Sequence, residues 1–246
     1  MTTSQQAIQN LYGSRWQIAL CLTGGGSRLA SDLLTIPGAS TTVLDVAIPY
    51  ANTSLSEHLG RTPDQFCSRQ TALMMATVAW QKAVRLSSSP GKCSADCLGI
   101  SCTASLASSK PKRGDHRIWI ATESTSSSQV ISLILKKGLR SRVEEEAVAA
   151  ELLLYAICKA GNLPAFEIST LHIDETVAIE IETVPSCIAQ LRAGNHAAVW
   201  SLPSKRVTDM VPEPPRGLLP GSFNPVHVGH HKLRNVAEQQ IGGSVY

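Results

Sequence analysis

Trp16–Gly26, WQIALCLTGGG, is the stretch on which the fold turns. Trp16–Leu22 is apolar apart from Gln17 and reads as a buried strand. Thr23-Gly24-Gly25-Gly26 breaks it, and Ser27–Leu34 follows as an amphipathic stretch closed by Pro37-Gly38. A strand, a glycine turn and a helix start bring free backbone N–H groups and a helix dipole to one point, which makes the turn a candidate anion cradle.

Working outward, Thr42–Ile48 is β-branched and apolar, a second strand ending at Pro49-Tyr50. Ser68 has the chemistry of an N-cap for a long helix over Arg69–Leu86, with Ala72, Met75, Ala76, Ala79 and Ala83 on one face. Cys97–Thr103, Arg117–Ala121 and Val130–Leu135 are further strand candidates. Val143–Lys159 reads as a helix, with Glu144, Glu145 and Glu146 in its first turns and Gly161 as its C-cap. Strands followed by helices in this order predict an α/β layered domain over residues 14–162. Residues 163–202 form an extension without a firm assignment: Val177–Val184 alternates like a strand, Pro185–Ala193 suits a short helix and His196–Leu202 another strand. Residues 203–217 contain Pro203, Pro212, Pro214 and Pro215 and read as a linker. Residues 218–246 begin a further unit.

The 246 residues are 43% hydrophobic and 17% charged, a globular balance, and a net charge of +3 gives no argument for nucleic acid as a partner. No run of about 18 apolar residues and no secretory core is present, so a cytoplasmic protein with no membrane partner is expected. Cys93, Cys97 and Cys102 lack the CxxC spacing of a zinc site, and no metal ligands are assigned. Lys110–His116, KPKRGDH, reads as a solvated basic loop.

Gly221–His230, GSFNPVHVGH, is the most chemically specific segment, followed by a stretch of helical composition, His231–Gln240. Its two histidines stand three residues apart, on one side of a helix start. It resembles the phosphate-binding first turn of HxGH, cytidylyltransferase-like nucleotidylyltransferases. Ser-Phe-Asn-Pro before the histidine is similar to the mononucleotide adenylyltransferases of nicotinamide and nicotinate. The resemblance implies that His227 and His230 contact a triphosphate, that Ser222 and Phe223 line the nucleotide site, and that Gly229 leaves room for the nucleotide. It implies Mg2+ with ATP or another nucleoside triphosphate in a full-length transferase, and no covalently bound cofactor. Such a Rossmann-like domain needs about 150 residues, and 29 follow Gly217. The expectation is therefore a strand–turn–helix beginning of that domain, which does not catalyse adenylyl transfer by itself.

The order of motifs from Thr23-Gly24-Gly25 through Ile36-Pro37-Gly38, Pro49-Tyr50, Leu59-Gly60, Cys102-Thr103 and Ile118-Trp119-Ile120 to Arg140 and a long helix resembles the C-terminal domain of competence-induced CinA proteins. Active members of that family are nicotinamide-nucleotide amidases. The resemblance implies a three-layer α/β/α fold and places nucleotide-binding roles on Thr23, Gly24, Gly25, Tyr50, Thr103 and Arg140. It places the nucleophile at Cys21, the glutamate before it at Leu20, and the activating lysine at Leu55. An aliphatic side chain cannot take a proton, so the serine–lysine mechanism is absent, and amidase activity would depend on a Cys21 thiolate.

Joining these parts, the expected function is that of a nucleotidylyltransferase-type protein of pyridine-nucleotide metabolism carrying a degenerate amidase domain. Its partners would be nucleotide small molecules and a second copy of the chain, met through the CinA-like domain. Two alternatives remain beside it: a non-catalytic nucleotide-binding or oligomerisation module, and a Cys21-dependent amidase.

Overall fold

The computed structural model describes residues 3–87, 94–110, 113–201, 207–210, 216–217, 219–221 and 228–245. The chain divides into two compact units, Met1–Val184 and Pro185–Tyr246.

In the first unit, α1 (Ser4–Tyr12) leads into β1 (Gln17–Thr23), α2 (Ser27–Thr35), β2 (Val43–Ala47), α3 (Asn52–Leu59) and α4 (Arg69–Leu86). Then follow β3 (Cys97–Ser105), β4 (His116–Glu123), β5 (Ser127–Leu135), α5 (Arg142–Ala160) and β6 (Ala178–Thr183). The six strands form one mixed sheet in the order β2-β1-β3-β4-β5-β6. β1 runs parallel to β2 and β3, whereas β3, β4, β5 and β6 alternate in direction. Strand alternation divides the core between two faces. Ile18, Leu20 and Leu22 of β1 join a cluster with Ala7 and Ile8 of α1, Leu29 and Leu33 of α2, and Val148 and Leu152 of α5. Ala19 and Cys21 point the other way, into a cluster with Leu55 of α3 and Met75 and Ala79 of α4. The unit is thus the three-layer α/β/α arrangement expected from the sequence, with a mixed sheet between its helices.

The long helices begin where their caps dictate. Ser68 accepts a hydrogen bond from the Thr71 backbone N–H at 3.2 Å, so α4 starts at Arg69. Ser141 and Glu144 form a reciprocal capping box at the start of α5. The other end of α5 stops at Gly161, whose N–H donates to Ile157 O at 2.8 Å and whose carbonyl accepts from Trp16 Nε1 at 2.9 Å.

Several features go beyond the sequence expectations. α1 has only three buried residues, Ala7, Ile8 and Leu11, too few for a visible periodic pattern. α3 has one, Leu55. Val177–Val184, read as a strand but without a domain, contains β6, the edge strand of the main sheet. His116, expected at the end of a basic loop, is the first residue of β4, because its ring is buried against a carboxylate of α5.

The second unit contains α6 (Ser186–Arg192), a short antiparallel pair of β7 (Trp200–Ser201) with β8 (Val207–Thr208), and α7 (Val228–Ile241). The strand expected over His196–Leu202 begins only at Trp200. Asn195 and His196 instead turn their N–H groups back onto Gln190 O, one of the last carbonyls of α6. Gly217 makes an isolated bridge with Val245.

Small residues on α4 let it lie close on the sheet. Ser101 Oγ of β3 donates to Ala72 O at 2.7 Å, and a methyl group at Gly99 would overlap Ala76 O and the Trp80 backbone nitrogen. Both obstacles are backbone, so neither can rotate away. Gly99→Ala is therefore expected to cost about 3 kcal/mol of unfolding free energy, read as a lowered denaturation midpoint; a midpoint unchanged from the parent would contradict this packing.

Candidate functional site

The glycine turn sits where the C-terminal ends of the parallel strands meet the start of α2. Thr23 ends β1 beside Thr103 of β3 in register. Gly24 and Gly26 take positive φ values of 73° and 85°, and a side chain at Gly24 would overlap Ala104 O. Only glycine meets both demands, the left-handed backbone and the close approach to β3.

Beside this turn is a cavity of about 230 Å³. Thr23 and Gly24 line one side, Tyr50, Asn52 and Leu55 a second, and Phe66, Cys67 and Thr103 a third. Four residues assigned by resemblance, Thr23, Gly24, Tyr50 and Thr103, therefore converge on one cavity. Tyr50 is 69% exposed, so its ring stands at the mouth. Thr103 is buried, and its hydroxyl donates to Phe66 O at 2.7 Å. The half-buried Cys67 thiol donates weakly to Thr103 O at 3.7 Å.

Cys21 and Leu55, the positions corresponding to nucleophile and base, are also brought together, but inside an apolar cluster. Cys21 is fully buried and Leu55 is 1% exposed. Burial, and then the nearby Asp45 carboxylate, push the Cys21 thiol up to about 12. A neutral thiol is a poor nucleophile, and no cation offsets the penalty. Leu20 faces away from them, into the cluster beneath α1, α2 and α5.

Gly25 is buried against Ala104 and Leu106 and is not part of the cavity wall. Arg140 is also elsewhere. Its guanidinium grips Glu175 with two bonds, Nη1 to Oε1 at 2.7 Å and Nη2 to Oε2 at 2.8 Å, and donates to Thr170 O at 2.8 Å. Its assignment to nucleotide binding came from its place before the helix, and its partner lies 35 residues further along the chain. Ser222, Phe223 and His227 lie outside the described residues, whereas Gly229 and His230 occupy the first turn of α7.

Sequence reasoning missed three groups on α5. Arg142 donates from Nη2 to Gly24 O at 2.9 Å and from Nη1 to Ala107 O at 3.4 Å. Glu145 is fully buried, with Oε1 2.7 Å from His116 Nδ1 and Oε2 accepting from the Ala107 N–H at 2.6 Å. Glu146 Oε1 accepts from Ser27 Oγ at 2.9 Å and from the Arg28 N–H at 3.2 Å. The anion cradle at the start of α2 thus holds a carboxylate of the chain itself. The triple glutamate was the available signal. Consecutive helical residues point about 100° apart, so only one of three can serve the capping box and the others need separate partners.

Chemically, the cavity offers hydroxyl, amide, thiol and aromatic groups, without a nucleophile–base pair in its walls. Among the described residues no cluster of three histidine, cysteine or carboxylate side chains is placed to hold a metal ion, and no helix is long and apolar enough to cross a membrane.

The fold of this chain is similar to that of solved CinA-type proteins. The competence/damage-inducible protein CihA from Agrobacterium tumefaciens superposes with a TM-score of 0.50 at 18% identity, over 65% of this chain and 95% of that one. CinA-superfamily proteins from Escherichia coli, with TM-score 0.48, 15% identity and 65% and 91% coverage, and from Enterobacter cloacae, with 0.49, 12% and 66% and 92%, are also similar. No protein-family model and no curated protein sequence matches the chain. At these identities the likeness is one of fold.

The Arg140–Glu175 pair has a pH signature. Burial works to raise the Glu175 carboxyl, but the Arg140 guanidinium and the backbone N–H groups of His172 and Lys136 outweigh it and hold the group at about 2, below its ordinary 4.5. A depressed carboxyl stabilises the fold above its unfolded value and loses that contribution as pH falls from 4.5 towards 2. Glu175→Gln should lower unfolding free energy by about 3 kcal/mol at pH 7, and the two proteins should converge as pH falls to 2. Chemical denaturation across that range checks it, and a gap independent of pH would contradict the pairing.

Proposed function

We propose that this chain is a non-catalytic binding module for nucleotide-type small molecules, with a CinA-like α/β unit followed by the first turn of a nucleotidylyltransferase-type segment. The observation that carries the first part is the packing of Cys21 against Leu55 in an apolar cluster beside the cavity. A reactive site needs a nucleophile that ionises and a base that takes its proton. Here the first is held protonated by burial and the second is a hydrocarbon. The cavity walls, by contrast, retain the polar and aromatic groups that bind without reacting.

The transferase part rests on Gly221–His230, where His227 and His230 would meet triphosphate oxygens and Ser222 and Phe223 the nucleotide. Mg2+ and ATP, or another nucleoside triphosphate, belong to this part of the proposal. Cytoplasmic residence and pairing with a second copy through the CinA-like unit belong to the same proposal, and no nucleic-acid or membrane partner is included in it.

Calorimetry against nicotinamide- and adenine-bearing nucleosides and nucleotides, with parallel assays for ammonia and pyrophosphate, tests this function. Saturable binding without either product is expected. Ammonia release that disappears in Cys21→Ala, pyrophosphate release from ATP and a mononucleotide, or binding of no member of the panel would overturn it.

A further inference from the structure

The helix that carries Asn52 and Leu55 into the cavity wall is attached unlike its neighbours. In the first unit α1 is tied to Leu33 O by the Tyr12 hydroxyl, α2 to Glu146 by Ser27, α4 to β3 by Ser101 and α5 to the glycine turn by Arg142. α3 has no such tie. Among the described residues its one side-chain hydrogen bond is internal, from Ser56 Oγ to Asn52 O at 2.9 Å. Leu55, His58 and Leu59 stand at the i, i+3 and i+4 spacing of a single helix face. Leu55 and Leu59 pack into the cluster that contains Cys21 and Met75. Apolar packing is therefore what holds α3 down.

Its two ends suit a moving element. Pro49 precedes it, and Gly60 closes it with a left-handed φ of 69°. A side chain added at Gly60 would meet nothing within 4 Å, so the C-terminal end has open space around it. Positions of this kind absorb the backbone rotation of a hinge.

The third residue of the inward face can change its charge. His58 is half-buried, and its Nε2 is shielded from solvent with no hydrogen-bond partner among the described residues. A neutral imidazole can leave one nitrogen bare, whereas protonation places an N–H and a positive charge there with no acceptor. Burial accordingly holds the ring below its ordinary 6.5. Asp45 of β2 works against this and Lys82 of α4 adds to it. Cys21 of β1, beneath the same helix, stays a neutral thiol.

We infer that α3 is a pH-sensitive flap beside the cavity, docked on the body while His58 is neutral and released when the ring takes a proton. Release carries Asn52 and Leu55 out of the cavity wall, so the site is complete at neutral pH and dismantled under mild acid. A group depressed by docking contributes its full stabilisation above its ordinary value, and loses it as pH falls below 6.5. The inference concerns the cavity of the binding module above, but the docking of α3 can be read without any ligand, so its failure is distinct from a failure of that function.

Hydrogen exchange of the full chain by mass spectrometry, at pH 7.5 and pH 5.5 and corrected for the intrinsic pH dependence of exchange, tests it. Protection of Asn52–Leu59 should fall by about three-fold or more at the lower pH, while α4 keeps its own. In His58→Leu and His58→Gln, neither of which titrates, the fall should vanish. Protection of α3 that is equal at both values overturns the inference. A parallel loss in α4 overturns it too, because the transition is then acid unfolding of the whole unit. A fall that persists in whichever His58 variant retains α4 protection also overturns it, since another group then carries the proton.

Discussion

β1 is covered on both faces, and this constraint runs through the rest of the molecule. Between Ile18 and Leu22 no side chain is more than 1% exposed, whichever way it points. A strand in that position must be apolar throughout or supply a buried partner for every polar atom. Its C-terminal end is also where the parallel strands and the glycine turn create the cavity. At Cys21 the demands of packing and of chemistry fall on one residue, and packing has prevailed. In one apolar cluster with Leu55, Met75 and Ala79, the thiol serves as a small apolar group.

The same economy governs the charges near the turn. Glu144 caps α5, Glu145 joins His116 to the Ala107 backbone, and Glu146 closes the start of α2. Arg142 fastens α5 to the glycine turn, and Arg140 fastens the start of the helix to the segment containing Thr170 and Glu175. Groups that could have held an anionic ligand are structural ties between distant parts of the chain. What remains open is a small uncharged cavity with aromatic residues in its wall. A fold of one architecture can carry sites of different chemistry.

Elements with strong local signals were legible in the sequence. α4 is announced by its Ser68 cap and its alanine-rich face, and α5 by its acidic first turn and Gly161. β1, the glycine turn and α2 follow one another as their residues suggest. α1 and α3 were missed because each is short and buries few residues. The candidate site was legible where residues sit at or near the C-terminal ends of strands, as for Thr23 and Thr103, or in the connection just after one, as for Tyr50, and these meet at the cavity. It was not legible where a side chain's partner is remote. Nothing local distinguishes an Arg140 that binds a ligand from one that binds Glu175, nor a Glu146 in solvent from one that reaches Ser27 across 119 positions.

The central claim is that Cys21 is core and not chemistry, and its native-state reactivity measures this most directly. With a thiol raised to about 12, only about one molecule in ten thousand carries the thiolate at pH 8. Alkylation of the folded chain by iodoacetamide, followed by mass spectrometry of each cysteine-bearing peptide, should leave Cys21 unmodified until denaturant unfolds the chain. Labelling of Cys21 in the native protein at the rate of a free, exposed thiol would contradict the account.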